Sequence, residues 1–520
     1  MPSESENKRA IKNAIALTLR MVLVTIVGLY TSRVVLEALG VDDYGIYGVV
    51  GSILSLTTFL NVAMAGATSR FITYELGTGD FEKLKTIFST SLQIHIVIAL
   101  VVLIFAESVG LWFVNYKLVI PDDRIFAANI LYQLSVLSMV INFTQVPYTA
   151  EIMGHENMKI YAYFEIFNTA MKLVIVYVLL LTENNRLILY GIMTFFVSLV
   201  IAMSYRYYCL KHYPEAKLQW SFDKPLAKIM LKYSGLDLYG NMCYGINNNG
   251  RPILLNLFFG VVANAAASLS ATVTGIVYSL TATISQAFRP QIIKRYANHD
   301  FKSMEEIMRR SLQFTILGYS IIAIPLLINT TRILYLWLGQ IPEYTAQFMQ
   351  ITIISTIIAI IPQVNNAAIH ATGDIRRISF INGSVYLLCF GASYLWLKLG
   401  GPADSPYRLF VFTCVIIAIL TWLFIHIQIP QLRLYRLIPS ALKTLLSVTL
   451  TAMIVYLIDS IYTSSVVYDI KDNFQSLIAI GISVISTVLI TSICAFSFLF
   501  DSYERHYIMS SIKSKIYKTE

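Results

Sequence analysis

The stretch that decides the fold is Asp237–Gly260, which reads DLYGNMCYGINNNGRPILLNLFFG. It is long enough to cross a bilayer, which takes about 20 mostly apolar residues, yet its centre is GINNNGRP. A charged arginine such as Arg251 costs at least ~2.5 kcal/mol at mid-bilayer, and Pro252 removes a backbone donor and so predicts a bend. Helical spacing puts five residues on one face, which cannot contact lipid: Asp237, Asn241, Tyr244, Asn248 and Arg251.

Two interpretations of this polar face stay open. It is either a structural stripe, buried between helices and held by interhelical hydrogen bonds, or the cationic wall of a cavity that holds an anionic substrate. The second is favoured, because ionisable residues inside a membrane usually mark a functional site.

The composition indicates a protein that crosses a membrane many times. Of the 520 residues, 56% are hydrophobic and 13% are charged, against about 25% charged in a soluble domain. The net charge of +9 suggests nucleic acid at first, but the basic residues concentrate in loops between apolar segments, so no nucleic-acid partner is expected. The five cysteines are scattered without a CxxC pair, so neither a disulfide framework nor a metal site is expected.

Lysine and arginine positions predict the orientation in the membrane. About fourteen segments have spanning length, with centres near Val24, Leu60, Val97, Val136, Val174, Val197, Tyr244, Val277, Ile321, Ile354, Leu387, Ile416, Val448 and Ile485. Most of the 39 basic residues lie in the two tails and in alternate loops, so these loops and both termini are expected in the cytoplasm. The loops are too short to hold a soluble domain.

The two halves of the chain resemble each other. Three motifs recur at one constant offset: Gly40 with Gly260, Asp80-Phe81 with Asp300-Phe301, and Ser91-Leu92-Gln93 with Ser311-Leu312-Gln313. Such a parallel repeat predicts two six-helix lobes that alternate access to a substrate site between them. We therefore expect an all-α integral membrane protein in three parts: residues 1–223 (helices 1–6), residues 224–432 (helices 7–12), and residues 433–520 (helices 13–14 and a cytoplasmic tail).

Basic residues within the spanning segments predict an anionic ligand, because unpaired like charges in a low dielectric are costly. The candidates are Arg20 and Arg33 on helix 1, Arg70 on helix 2, Lys172 on helix 5 and Arg251 on helix 7. Structural alternatives stay open here as well. Arg33 can pair with Glu37, Arg70 can reach the interface, and Lys172 can pair with Glu165.

Polar groups on the same helices predict further roles. Amide side chains suit sugar hydroxyls: Asn247, Asn248, Asn142, Gln145 and Asn365. The carboxylates Asp237 and Glu165 are candidates for ion coupling, because protonation or Na⁺ binding changes the charge that faces the cavity. No nucleotide loop or nucleophile motif is present, and His95 has no partner His or Cys at ligand spacing. We therefore expect no enzyme, cofactor or metal, and we expect a Na⁺ or H⁺ gradient or the membrane potential as the energy source.

Three stretches carry a resemblance to a known family: NKRAIKNAIALTLR before and within helix 1, LGVDDYGIYGVV (Leu39–Val50) and SRFITYELGTGDFEKLK (Ser69–Lys85). The chain resembles the Wzx-type polysaccharide repeat-unit flippases of the multidrug/oligosaccharidyl-lipid/polysaccharide exporter (MOP) superfamily. The resemblance implies two six-helix lobes in a V around a central cavity, with two extra C-terminal helices. It also implies that cavity cations hold a pyrophosphate, a role that Arg20, Lys172 and Arg251 match by helix.

The resulting hypothesis is a multi-pass flippase of the bacterial inner (cytoplasmic) membrane. Its substrate would be an undecaprenyl-pyrophosphate-linked oligosaccharide, the repeat unit of an O-antigen, capsule or exopolysaccharide, with a polysaccharide polymerase and glycosyltransferases as partners. Two alternatives remain. An ion-coupled multidrug exporter would need an acidic cavity for cationic drugs, and a membrane-embedded oligosaccharide polymerase or ligase would need a sizeable outer loop.

Overall fold

The computed structural model describes residues 4–155, 157–182, 185–217, 222–235, 238–465 and 472–499, with side chains for all of these except residues 4–22, 233, 280, 283, 465 and 498. The described residues form α-helices and short 3₁₀ or π turns without a β-strand, which confirms the all-α class. The α-helices of this part are α1 Glu4–Ser55, α2 Thr58–Thr78, α3 Phe81–Phe105, α4 Leu111–Tyr116, α5 Ile125–Gly154, α6 Met158–Leu180, α7 Arg186–His212, α8 Lys224–Gly235, α9 Leu238–Ala297, α10 Phe301–Ile328, α11 Thr330–Leu338, α12 Thr345–Thr372, α13 Arg376–Lys398, α14 Ser405–Gln428, α15 Leu434–Ser465 and α16 Asn473–Cys494.

Helices α1 and α9 each consist of two helical parts that meet at a glycine. Gly40 has φ 79° and ψ 172°, and Gly260 has φ 74° and ψ −165°. Side chains with a Cβ are almost excluded from this extended region at positive φ, so glycine is needed at both places. In α9 the helical geometry breaks at Gly260, whereas the bend was expected at Pro252.

The chain is a multi-pass membrane protein. Twelve helices of the described part are long and apolar enough to cross a membrane. The sequence predicts about fourteen spanning segments, and the difference from twelve arises in α2 and in α9. The centre near Leu60 falls in α2, where glycine, threonine and charged residues lower the hydropathy, and the centres near Tyr244 and Val277 both fall in α9, which counts once. Because α9 turns at Gly260, the number of crossings stays a prediction.

The repeated motifs have the same local geometry in both halves. Asp80 caps the N-terminus of α3 and Asp300 caps that of α10, each accepting a hydrogen bond of 3.1 Å from the backbone N–H three residues later. The residue before each cap has a positive φ, 78° at Gly79 and 54° at His299. The two turns therefore start their helices in the same way, as expected of an internal repeat.

The chain divides into two compact units. Unit 1 comprises Met1–Thr272, Pro342–Thr345 and Ser379–Pro406, and unit 2 comprises Val273–Ile341, Ala346–Ile378 and Tyr407–Glu520. The three-part division predicted from the sequence stays a prediction. In unit 2, α11 and α15 are joined by an ion pair of 2.6 Å between Arg332 Nη1 and Asp459 Oδ1, both largely buried.

Within unit 1, the part of α1 after Gly40 packs tightly on the part of α9 after Gly260. A Cβ atom on Gly45 would lie 2.1 Å from the carbonyl oxygen of Val261, and one on Gly48 would lie 2.3 Å from Oγ of Ser268. Neither position has room for a side chain unless its neighbour moves. At Gly51, farther along the same helix, a Cβ atom would meet nothing within 4 Å.

A buried amide pair holds the chain on both sides of Gly260, also within unit 1. Asn256 Oδ1 accepts a hydrogen bond of 2.8 Å from Val119 N–H, and Asn256 Nδ2 donates to Val119 O at 3.2 Å. Asn256 Nδ2 also donates to Asn264 Oδ1 at 2.9 Å, and Asn264 Nδ2 donates to Pro252 O. Both asparagines are fully buried. We call this arrangement the Asn256 clamp.

Candidate functional site

Unit 1 contains a polar cavity of about 390 Å³ between α1, α6, α7 and the second part of α9. Valine and isoleucine side chains from α1, α6 and α7, together with Gly28, form its apolar surface. Its polar lining residues are Thr31, Ser32, Tyr44, Tyr47, Asn168, Thr169, Lys172, Tyr190, Thr194, Ser198, Ser268 and Thr272. We call it the Lys172 cavity.

Among the described residues that line this cavity, Lys172 is the charged one and none is acidic. Its side chain is exposed, and among the described residues it makes neither a hydrogen bond nor an ion pair. It lies in the apolar middle of α6, roughly 21 Å from the start of the helix and 12 Å from its end at 1.5 Å per residue. An unpaired ammonium at that depth is costly, and an anionic group in the cavity would remove the cost.

Hydroxyl groups form most of the remaining wall. The rings of Tyr44 and Tyr47 lie 6.2 Å apart, and Tyr47 meets Tyr190 edge to face at 5.1 Å. The Tyr44 hydroxyl lies near the side chains of Ser32 and Thr272. In the described structure, Oγ1 of Thr31 is buried without a hydrogen-bond partner. Such a wall offers donors and acceptors to a polar ligand, while its aromatic faces suit a sugar ring.

A second cavity, of about 290 Å³, lies between α2 and α5 in unit 1. It brings together two of the predicted sugar-contacting residues, Asn142 and Gln145, with Asn61 from α2. Oδ1 of Asn61 is buried and accepts no hydrogen bond from the described residues. None of its described lining residues is charged. We call it the Asn142 cavity.

Arg251 lines neither of these two cavities. Its side chain is 5% exposed, Nε donates to Asn247 O at 3.1 Å, and Nη2 donates to Asn248 Oδ1 at 2.6 Å. Asn247 Nδ2 in turn donates to Tyr386 O on α13 at 3.0 Å. Asn247, Asn248 and Arg251 therefore form one hydrogen-bonded group, with the geometry expected of the structural interpretation.

The remaining predicted residues are dispersed. Arg33 and Arg70 have exposed side chains outside both cavity linings, and the guanidinium of Arg70 lies 5.8 Å from the ring centre of Phe71. Glu165 lies on α6 before Asn168, which lines the Lys172 cavity, but Glu165 itself does not. Asn365 is fully buried in unit 2, where it donates to Thr421 Oγ1 at 3.0 Å. The side chain of Arg20 and the whole of Asp237 lie outside the described residues.

The hydroxyl wall was missed from the sequence. Its members come from four helices, and each is a common packing residue when taken alone. One local signal was available, because Val24, Gly28, Thr31 and Val35 follow helical spacing on α1 and mark a face of small side chains.

A family model and solved structures match this chain. The model described as MatE matches residues 16–178 and 253–395, which is more than half of the sequence. A search of curated protein sequences gives no match.

Three solved structures show the shared fold. The lipid II flippase MurJ in an inward closed conformation has 15% identity and a TM-score of 0.69, over 93% of this chain and 99% of MurJ. A multidrug resistance MATE family transporter of the MOP superfamily, facing inward, has 13% identity and a TM-score of 0.65, over 81% of this chain and 98% of its own. A MOP superfamily transporter from Pyrococcus furiosus, described by the reverse polarity of its binding pocket, has 13% identity and a TM-score of 0.58. The match covers 79% of this chain and 94% of that transporter. At these identities the similarity concerns the fold alone.

Proposed function

The chain belongs to the MatE family, and from that membership we propose that it is a flippase of the MOP superfamily for an undecaprenyl-pyrophosphate-linked oligosaccharide. The observation that carries this proposal is Lys172, which lines a cavity without an acidic lining residue and has no ion-pair partner among the described residues. A cationic drug entering this cavity would meet an unpaired ammonium, which argues against a multidrug exporter. The fold likeness to transporters supports transport over polymerisation or ligation.

The phosphate is the part of the substrate that needs Lys172. A pyrophosphate diester carries about two negative charges, and moving each into the membrane without a countercharge would cost several kcal/mol. Lys172 supplies one countercharge. We propose Arg20 for the second, as the resemblance implies; its side chain lies outside the described residues. Arg251 would first have to exchange its hydrogen bonds to Asn247 and Asn248, so it ranks behind these two.

The cavity volumes limit which part of the substrate can enter each cavity. About 390 Å³ lies near the lower end of the ~300–1,000 Å³ found for small-molecule sites. We expect the pyrophosphate and the adjoining sugar to enter the Lys172 cavity, where hydroxyl groups contact the sugar. The amides of Asn142 and Gln145 are proposed to contact sugars farther from the phosphate, and the polyprenyl chain stays in lipid.

Export measurements on Lys172 variants test the proposal. Cells that lack the native gene are complemented with each variant, and surface glycan, accumulated lipid-linked oligosaccharide and membrane abundance of the protein are measured. A hydrogen bond to a charged group is worth ~1.5–3 kcal/mol, so Lys172→Ala should lower the export rate roughly 10- to 100-fold. Lys172→Arg should retain most activity, and Lys172→Glu should abolish it.

Lys398→Ala is the matched control, because Lys398 is an exposed lysine at the end of α13 outside both cavity linings. It should export at the wild-type rate. Full export by an abundant Lys172→Glu protein would refute the proposal. Efflux of a cationic dye that increases in Lys172→Glu would instead favour the multidrug alternative.

The transport cycle we propose is alternating access between two lobes, residues 1–223 and 224–432, in the inner membrane with fourteen crossings and cytoplasmic termini. Energy would come from coupling to Na⁺, H⁺ or the membrane potential through Glu165 or Asp237. Unchanged transport in the Glu165→Gln, Asp237→Asn double variant would exclude both carboxylates as coupling sites.

The orientation in the membrane has its own test. In a cysteine-free background, an impermeant thiol reagent should label a cysteine placed at Asn185 and spare one placed at Lys217, and the opposite pattern would reverse the orientation.

A further inference from the structure

Three side chains with metal-binding atoms meet where α5 ends, in a part of unit 1 that the proposed transport does not use. Glu151 lies on the last turn of α5, and His155 follows that helix directly. Glu215 comes from the short 3₁₀ turn Pro214–Ala216 that follows α7. One ligand atom from each residue lies within 4.8 Å of the other two. We call these residues the Glu151 cluster.

The distances within the cluster are short. Nε2 of His155 lies 2.7 Å from Oε1 of Glu215 and 3.4 Å from Oε1 of Glu151. The ring of Tyr213 stacks on the imidazole, with ring centres 4.1 Å apart and planes 6° apart. This stacking fixes the plane of the imidazole and therefore the direction in which Nε2 points.

Both carboxylates are buried, and one has unfilled hydrogen-bonding capacity. Glu151 is 0% exposed and Glu215 is 2% exposed. Neither carboxylate oxygen of Glu151 accepts a hydrogen bond in the described structure. A buried carboxylate without hydrogen bonds is costly, so this side chain is aimed at a ligand position that the protein alone leaves unfilled.

No strong base faces the two buried carboxyl groups within the described chain. No lysine or arginine among the described residues forms an ion pair with Glu151 or Glu215, and His155 is the basic side chain beside them. A divalent cation bound to both carboxylates and to a neutral imidazole would balance the site.

We propose that Glu151, His155 and Glu215 bind one divalent transition-metal ion, with Zn²⁺ as the best fit. Zinc accepts one imidazole nitrogen and carboxylate oxygens at about 2.0–2.2 Å, commonly with three protein ligands and a water. Mg²⁺ and Ca²⁺ prefer oxygen ligands alone, so they fit this set less well. Atoms within 4.8 Å of one another need only small side-chain rotations to surround such an ion.

Bound metal would join segments that are distant in sequence. His155 and Glu215 are separated by 60 positions, and the ion would tie the end of α5 to the segment that follows α7. The site would thus stabilise the bundle of α5 and α7, independently of whichever substrate unit 1 transports.

The test uses the full-length protein purified in detergent, stripped with a chelator, incubated with Zn²⁺ and freed of unbound metal by gel filtration. Elemental analysis should find about one Zn²⁺ per chain, and Co²⁺ should give the visible absorption of a low-symmetry site with an imidazole ligand. The melting temperature of the wild-type protein should rise with Zn²⁺ and not with Mg²⁺. Wild-type protein with less than about 0.1 Zn²⁺ per chain would overturn the proposal, because such a site should be nearly filled.

Variants separate this site from adventitious binding. The His155→Asn, Glu215→Gln double variant should lose the bound Zn²⁺ and the Zn²⁺-dependent rise in melting temperature. His212→Asn is the matched control, because His212 ends α7, stacks on Tyr208 at 4.2 Å and forms no ion pair with a described carboxylate. The control should bind Zn²⁺ as the wild type does. Undiminished Zn²⁺ in the double variant would refute the assignment, and the Co²⁺ spectrum of the wild type decides the matter if the double variant does not fold.

Discussion

Replacing Gly45 by alanine should force α1 and α9 apart where Gly45 packs on Val261, whereas the same change at Gly51 should not. The new Cβ at position 45 would lie 2.1 Å from the carbonyl oxygen of Val261. Normal contact begins above 3 Å, so a backbone must retreat by roughly 1 Å. The obstacle is a peptide group rather than the end of a flexible side chain, so no rotamer change relieves it.

The magnitude follows from two opposing effects. Overpacking a tight contact costs typically ~1–3 kcal/mol, and more when backbone must move. Alanine is favoured over glycine within a helix by ~0.8–1 kcal/mol. Gly45→Ala should therefore destabilise the protein by up to ~2 kcal/mol, and Gly51→Ala, with nothing within 4 Å, should stabilise it by up to ~1 kcal/mol.

Thermal unfolding of the purified full-length variants measures this difference. Gly45→Ala should melt below the wild type and Gly51→Ala at or above it. Gly48→Ala adds a compensation test, because its obstacle is Oγ of Ser268 at 2.3 Å. Adding Ser268→Ala should restore stability there. A melting temperature of Gly45→Ala no lower than that of Gly51→Ala would contradict the close packing of α1 on α9 at Gly45.

Three further predictions use the same measurement. Asn256→Ala should destabilise the protein by ~1–3 kcal/mol, because the N–H and C=O of Val119 lose their partner; an unchanged melting temperature would exclude the Asn256 clamp. Since residues with a Cβ are strained at positive φ, His299→Gly should stabilise and Gly79→His destabilise, each by ~1 kcal/mol, and equal melting temperatures would contradict the shared turn geometry. Hydrogen bonds from Ser303 hold the pKa of Asp300 below its ordinary value, so its contribution to stability is present above the unfolded pKa of ~3.9 and is lost as the pH falls through the folded pKa. The wild type should therefore melt above Asp300→Asn, and the difference in melting temperature should be larger at about pH 6 than at pH 3. A difference that does not change with pH would show that the Asp300 carboxylate does not contribute in this way.

Repeated backbone features could be predicted from the sequence. Gly40 and Gly260 occupy the same place in each half because both need a positive φ at ψ near 180°, and few residue types satisfy that requirement. Asp80 and Asp300 recur because a helix start needs an acceptor for its free N–H groups. Both requirements are local and restrict the residue type, so they can be recognised in a single sequence.

Side-chain partners could be predicted much less well. Helical spacing correctly put Asn248 and Arg251 on the same face, but it could not show that Arg251 also donates to the carbonyl oxygen of Asn247 on its own helix. For Lys172, the apolar run after it indicated depth in the membrane. Whether it has an ion-pair partner, and none exists among the described residues, depends on which helices pack around α6, which a single sequence does not show.

The Asn256 clamp has a consequence for biosynthesis. Val119 and the amide that binds its peptide groups are 137 residues apart. At about 5–20 residues per second, the ribosome needs roughly 7–27 s to make that length of chain. During this interval Val119 lacks its partner, and its N–H and C=O groups hydrogen-bond to water instead. Slowing elongation between the two positions should therefore lengthen the period in which the segment at Val119 is susceptible to protease. The arrival of Asn256 should end that period.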